Sequence, residues 1–187
     1  MLALLDRLPQ TAGFVVSVAF EVLAWNSLTV ALMEDFAQVA PEDRNLARRA
    51  FLAPSPPEVR LWGLSDAAAF QRNVVMDLRL AAARYPADPG VIGLIEELRT
   101  GSEEFASLWE RRDVRSEQML TKTFHHPIVG EFSLDCDTLT LADRDQRMVL
   151  YSAPQGSSAA EALAYLNALE VGGVGQTLRF DATTHRR

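Results

Sequence analysis

Three features of this sequence predict an α+β domain: β-type patterns near both ends of the chain, helical periodicity through its middle, and a length that suits one core. The 187 residues are 48% hydrophobic and 23% charged, the balance of an ordinary globular protein. Strand groups at the two ends are expected to combine into one antiparallel sheet of about five strands. The helices inserted between the N-terminal and C-terminal strands would cover one of its faces.

From Gly13 the residues FVVSVAF and then EVLAW are rich in β-branched and aromatic side chains, predicting two short strands joined near Glu21. Asn26 and Ser27 offer capping side chains, and Leu28, Ala31, Leu32 and Phe36 recur at helical spacing behind them, so a helix is expected to reach about Phe36. Pro41 opens PEDRNLARRAF, acidic in its first turn and basic in its last as the helix dipole favours. The prolines from Pro54 to Pro57 then predict an ordered loop.

Ser65 to Arg84 is the longest helical signal, with Ser65 as its expected cap and Tyr85-Pro86 as its stop. Phe70, Val74, Val75, Leu78, Ala81, Ala82 and Tyr85 form a broad apolar face; Met76, Leu80 and Ala83 form a narrower strip, with Arg72 and Arg79 between the two. A helix apolar on two sides is packed on two sides, which predicts a homodimer through Met76 and Leu80. Asp88-Pro89 and Gly101-Ser102 launch two further helices. After Pro127, Phe132 and Leu134 alternate with Glu131, Ser133 and Asp135. This predicts a strand, a turn at Asp137, a second strand through Leu139 and Leu141, a turn at DRDQ and a third strand, RMVLYSA. Ser157 starts a last helix, and TLRFDATTHRR is expected to be loose.

The chemistry excluded is as informative. A net charge of −7 repels phosphate backbones, so these residues are not expected to bind nucleic acid themselves. The single cysteine, Cys136, excludes an internal disulfide and fits a reducing, cytoplasmic setting. The N-terminal apolar patches are broken by Asp6, Arg7, Pro9 and Gln10 and are too short to span a membrane. No GxSxG nucleophile elbow occurs, GLSD and QGSS each reading as a helix cap or turn, and GGVG lacks both the setting of a dinucleotide loop and the lysine of a phosphate loop. His125 and His126 are neighbours that point to opposite faces of an extended segment and cannot easily chelate one ion, so they read as structural or hydrogen-bonding groups. No catalytic constellation, cofactor motif or metal motif emerges, and the protein is not expected to be an enzyme.

Arg79 has two readings. An arginine between apolar strips either meets a carboxylate of its own chain or anchors an acidic head group at the mouth of an apolar pocket.

The runs EVLAWNSLTVAL, NLARRAFL, VMDLRLAAARYPADPGVIGLIEELRTGSEEFASLWERRDV, HHPIVGEFSLDCDTLTL and QRMVLYSAPQGS occur in one order. Together they resemble the ligand-binding domain of MmyB-like transcription regulators, over essentially Leu2 to Leu169. The resemblance implies a PAS-like sensor domain over residues 1–170, with 171–187 as a partly flexible extension. It also implies a small, largely apolar ligand such as a fatty acid, and DNA binding only through an XRE-type helix-turn-helix missing from these residues. The expected ligand contacts are Trp25, Phe132 and Leu150 from strands and Leu78 and Trp109 from helices, with Arg79 or His126 holding the polar end. The alternative is an interaction or dimerisation module with a fully packed interior. A weaker one is a small-molecule enzyme using His125 or His126.

Overall fold

The computed structural model describes residues 2–5, 7–52, 61–111, 121–141, 145–172 and 179–180. The proline-rich loop, Asp143 and Arg144 of the DRDQ turn, the GGVG glycines after Gly172 and most of the 171–187 extension lie outside the described residues. Helix α1 (Leu2–Leu5) precedes strands β1 (Ala12–Ser17) and β2 (Val22–Trp25), helix α2 (Ser27–Leu32), a 3-10 turn (Pro41–Arg44) and helix α3 (Leu46–Phe51). Helices α4 (Ala67–Arg84), α5 (Pro89–Gly101) and α6 (Glu103–Glu110) follow. Strands β3 (Thr121–His126), β4 (Gly130–Leu141) and β5 (Gln146–Ser152), helix α7 (Ser158–Gly172) and strand β6 (Arg179–Phe180) complete the order.

The strands form one sheet in the order β3-β4-β5-β1-β2-β6, every neighbouring pair antiparallel. Five strands carry it, and β6 adds two residues beside Ala24 and Trp25. The fold is α+β as the sequence predicts, and it is compatible with a PAS-like domain. No helix among the described residues is long and apolar enough to cross a membrane.

Capping residues decide where the helices start. Asn26, Asp88 and Ser102 accept from the first free N–H groups of α2, α5 and α6, and the Ser157 hydroxyl accepts from Ala160 in α7. The long helix is capped by Asp66, which accepts from the Ala69 N–H, and not by Ser65. Ser65 is occupied elsewhere, its N–H donating to the Thr123 carbonyl in β3 at 3.0 Å. α2 stops at Leu32, short of Phe36. The expected PEDRNLARRAF helix is split at Asn45, whose extended backbone bridges Glu21 while its side chain caps α3.

Two corrections concern the C-terminal strands. Thr121–His126 is a strand that the sequence reading missed, and β4 runs unbroken for 12 residues through Asp137, where a turn was expected. Tertiary pairing overrides the local turn preference of Asp: Asp135, Asp137 and Leu139 face Ser152, Leu150 and Met148 of β5 in continuous register.

One sheet face carries Phe14, Val16, Phe124, Phe132, Leu134 and Tyr151, joined in a single core with the buried residues of α3 to α6. Across that layer Phe51 meets Phe105 edge-on and Phe105 stacks on Trp109. The opposite face holds a smaller cluster of Leu5, Val15, Ala24 and Met148, with Leu141 and Leu150 packed against it. On α4, Val74, Val75, Leu78 and Ala81 are buried as the periodicity predicts, whereas Met76 is half-buried and Leu80 is 62% exposed. Residues 63–65 run along the outer side of β3: Leu64 bridges Phe124, and the His125 N–H donates to the Gly63 carbonyl at 3.0 Å. Gly63 has φ +74°, and a Cβ there would stand 2.6 Å from the His125 carbonyl oxygen, so the position requires glycine on both counts.

Candidate functional site

A cavity of about 380 Å³ lies between the sheet and α4. Its floor is built in cross-strand rows. Thr138, Val149 and Phe14 make one row, Cys136 and Tyr151 the next, and Arg147 and Val16 a third. Along β4 the inward residues shrink from Phe132 and Leu134 to Cys136 and Thr138, which lowers the floor where the helices do not descend to fill it. The roof is Phe70, Asn73, Val74 and Asp77 of α4, one helical face by their spacing. Leu61, Trp62 and Leu64 form a wall, with Phe20, Met33 and Leu46 beside them.

Lys122 and Phe124 project into this space from β3. Lys122, the chain's only lysine, is 8% exposed. Its Nζ donates to the Tyr151 hydroxyl at 3.2 Å and lies 5.2 Å and 5.4 Å from the Phe70 and Tyr151 ring centroids. Cys136 is the cross-strand partner of Tyr151 and lines the same cavity. Burial pushes the Tyr151 and Cys136 pKa values up, so both stay protonated at neutral pH. Burial works against the Lys122 charge, while the hydrogen bond from its Nζ to the Tyr151 hydroxyl favours it. No carboxylate among the described residues pairs with it. The other charged groups of the lining, Arg147 and Asp77, are joined in an ion pair between β5 and α4, and Arg147 also lies over the Phe20 ring at 4.7 Å.

None of the seven expected contact residues lines this cavity. Trp25 is one layer behind, its ring packing on Phe36, which in turn meets Trp62 of the wall. Phe132 stands behind Phe124 at 6.2 Å. Leu78 is fully buried in the helical layer, where Trp109 stacks on Phe105. Leu150 belongs to the opposite face of the sheet, against Leu5 and Met148, because the period-two pleat sends it away from Val149 and Tyr151.

The two expected anchors are used within the fold. Arg79 donates to the carbonyls of Leu108, Trp109 and Arg111 and lies over the Trp109 ring at 5.4 Å. It closes the C-terminal end of α6, so its partners are backbone carbonyls and not the carboxylate or ligand weighed from sequence. His126 places Nε2 at 3.1 Å from the Ala31 carbonyl, while Nδ1 accepts from the Ile128 N–H at 3.2 Å. A carbonyl only accepts and an N–H only donates, so the proton is on Nε2 and both ring nitrogens are occupied. His125 contacts the Gly63 carbonyl and Glu131. Among the described residues no group of three or more His, Cys, Asp and Glu side chains could hold a metal ion.

The lining residues absent from the expected contact set, among them Lys122, Tyr151, Cys136 and Thr138, carried one usable signal: Lys122 and Phe124 share a face in any strand through TKTFHH. Without that strand, the lysine had no inward direction.

The family model for the MmyB-like transcription regulator ligand binding domain matches residues 1–166 of the chain. No curated protein matches it.

Proposed function

The chain belongs to the family of MmyB-like transcription regulator ligand-binding domains, and on that premise we propose that it is the sensor of a transcription regulator, taking up a small, largely apolar molecule such as a fatty acid. The observation that carries this reading is the cavity of about 380 Å³ between sheet and helices, within the roughly 300–1,000 Å³ typical of small-molecule sites. A pure interaction module would fill that space with side chains. The domain acts by binding and not by catalysis, and its output passes to a DNA-binding partner domain.

Native mass spectrometry of the purified chain, with organic extraction of what it carries, tests the reading. An extractable amphiphile that returns to the stripped protein with one-to-one stoichiometry supports it. A protein that carries nothing and takes up no fatty acid favours the interaction module.

A further inference from the structure

We propose that Lys122 is the head-group anchor of the cavity, so that the domain selects amphiphiles with an anionic, carboxylate-type head over neutral ones of the same chain length. This rests on the cavity being the ligand site and adds the residue that holds the ligand's head group and sets its preference for an anion.

An ammonium has three donors, and Lys122 gives one of them to the Tyr151 hydroxyl. Phe70 and Tyr151 offer ring faces to the charge, but a ring face does not replace a hydrogen-bond acceptor. Buried charges in proteins are ordinarily paired. No carboxylate among the described residues pairs with Lys122, and in the proposed site the pairing group is the ligand's own. A carboxylate fits, since it accepts from Nζ in a charge-assisted bond that is shorter and stronger than a neutral one.

The neighbouring cations are committed elsewhere. Arg147 pairs with Asp77, Arg49 with Glu34, and Arg79 with the α6 carbonyls. The rest of the lining near Lys122, namely Phe124, Phe70 and Val149, is apolar and suits a hydrocarbon tail. A second copy of the charge, as in a phosphate monoester, would bring an extra negative charge with no second free cation in the cavity among the described residues, so a monoanion is the better match.

Lys122 is the only lysine, so growth on 13C-labelled lysine gives the wild-type protein a single side-chain Cε resonance. That resonance is followed while dodecanoate or 1-dodecanol is added, with affinities measured in parallel by calorimetry. Dodecanoate is expected to bind on the order of tenfold to a hundredfold more tightly than 1-dodecanol and to move the Lys122 signal well beyond any shift with the alcohol. Lys122→Met is expected to lose that preference by weakening dodecanoate alone. Equal affinity for acid and alcohol, with the Lys122 signal unmoved, overturns the anchor and leaves the cavity reading standing. Binding of neither by the wild-type protein overturns both. The wild-type comparison needs no variant, so a poorly folding Lys122→Met cannot rescue the proposal.

Discussion

Asn26 and Lys122 are both polar, both nearly free of solvent at 5% and 8% exposure, and set in opposite circumstances. Asn26 sits where α1, β1, β2 and α2 meet. Its Oδ1 accepts from the Gly13 and Thr29 N–H groups at 3.1 Å and 3.0 Å, and its Nδ2 donates to the Thr11 carbonyl at 2.8 Å and the Leu5 carbonyl at 3.4 Å. Every donor and acceptor of that amide is spoken for inside the chain. Lys122, in the sheet's outer half, is an ammonium that makes one hydrogen bond among the described residues. A saturated buried polar group ties structure together, whereas an undersupplied one is a place for something else to bind.

The largest effect that tests the contrast is at Asn26. Asn26→Ala strips partners from two N–H groups and two carbonyls and should destabilise the protein by about 3 kcal/mol, read as a lower urea midpoint. A loss below about 1 kcal/mol would show that the node is not a tie. Arg79→Ala should come next, at about 1–2 kcal/mol, since it uncovers the last carbonyls of α6. Because its partners are carbonyls outside the cavity, dodecanoate and 1-dodecanol affinities should change alike; selective loss of the acid would return Arg79 to the binding site.

Lys122→Met sharpens the comparison from the other side. Removing an undersupplied buried cation should leave the stability of the unliganded protein within about 1 kcal/mol of wild type, or raise it. A loss as large as that of Asn26→Ala would make Lys122 a structural group.

The smallest effect concerns Glu34, whose pair with Arg49 abuts the cavity wall where Arg49 lies over Trp62 at 4.6 Å. Burial raises the Glu34 pKa above its ordinary 4.5, although Arg49 opposes the shift. The native chain therefore holds this proton to higher pH than the unfolded chain does. Glu34's contribution is most favourable below that ordinary value and falls as pH rises through the window above it. Urea midpoints measured across that window should show the decline in wild type and a flatter profile in Glu34→Gln.

Most of the fold was legible because its signals are local. The caps at Asn26, Asp88 and Ser102 and the period-two runs around Phe14 and Met148 need no partner to be recognised. The errors at Asp137 and Thr121–His126 share one cause: an aspartate reads as a turn, and a polar strand reads as nothing, until a neighbouring strand supplies the ladder. The site was harder for the same reason. That a space would exist between sheet and helices could be inferred from the layer architecture, but which side chains face it depends on strand register, and one missed strand removed Lys122. Bulk was also a poor guide. Trp25 and Leu78 are large and apolar, so they are used to fill the core, whereas the cavity exists where β4 turns to Cys136 and Thr138.

The backbone of residues 63–65 along β3 has a consequence for solubility. β3 is the last strand of its side of the sheet, and a bare edge of that kind invites edge-to-edge addition of another chain. The Thr123 carbonyl and the His125 N–H, which would template such an addition, are already taken by Ser65 and Gly63. An incoming strand would first have to peel that guard away, and its own Leu64, with Leu61 and Trp62 just before it, walls the cavity. Loosening this wall would therefore bare an aggregation-prone edge, which gives the sequence a reason to keep Gly63 quite apart from anything the cavity holds.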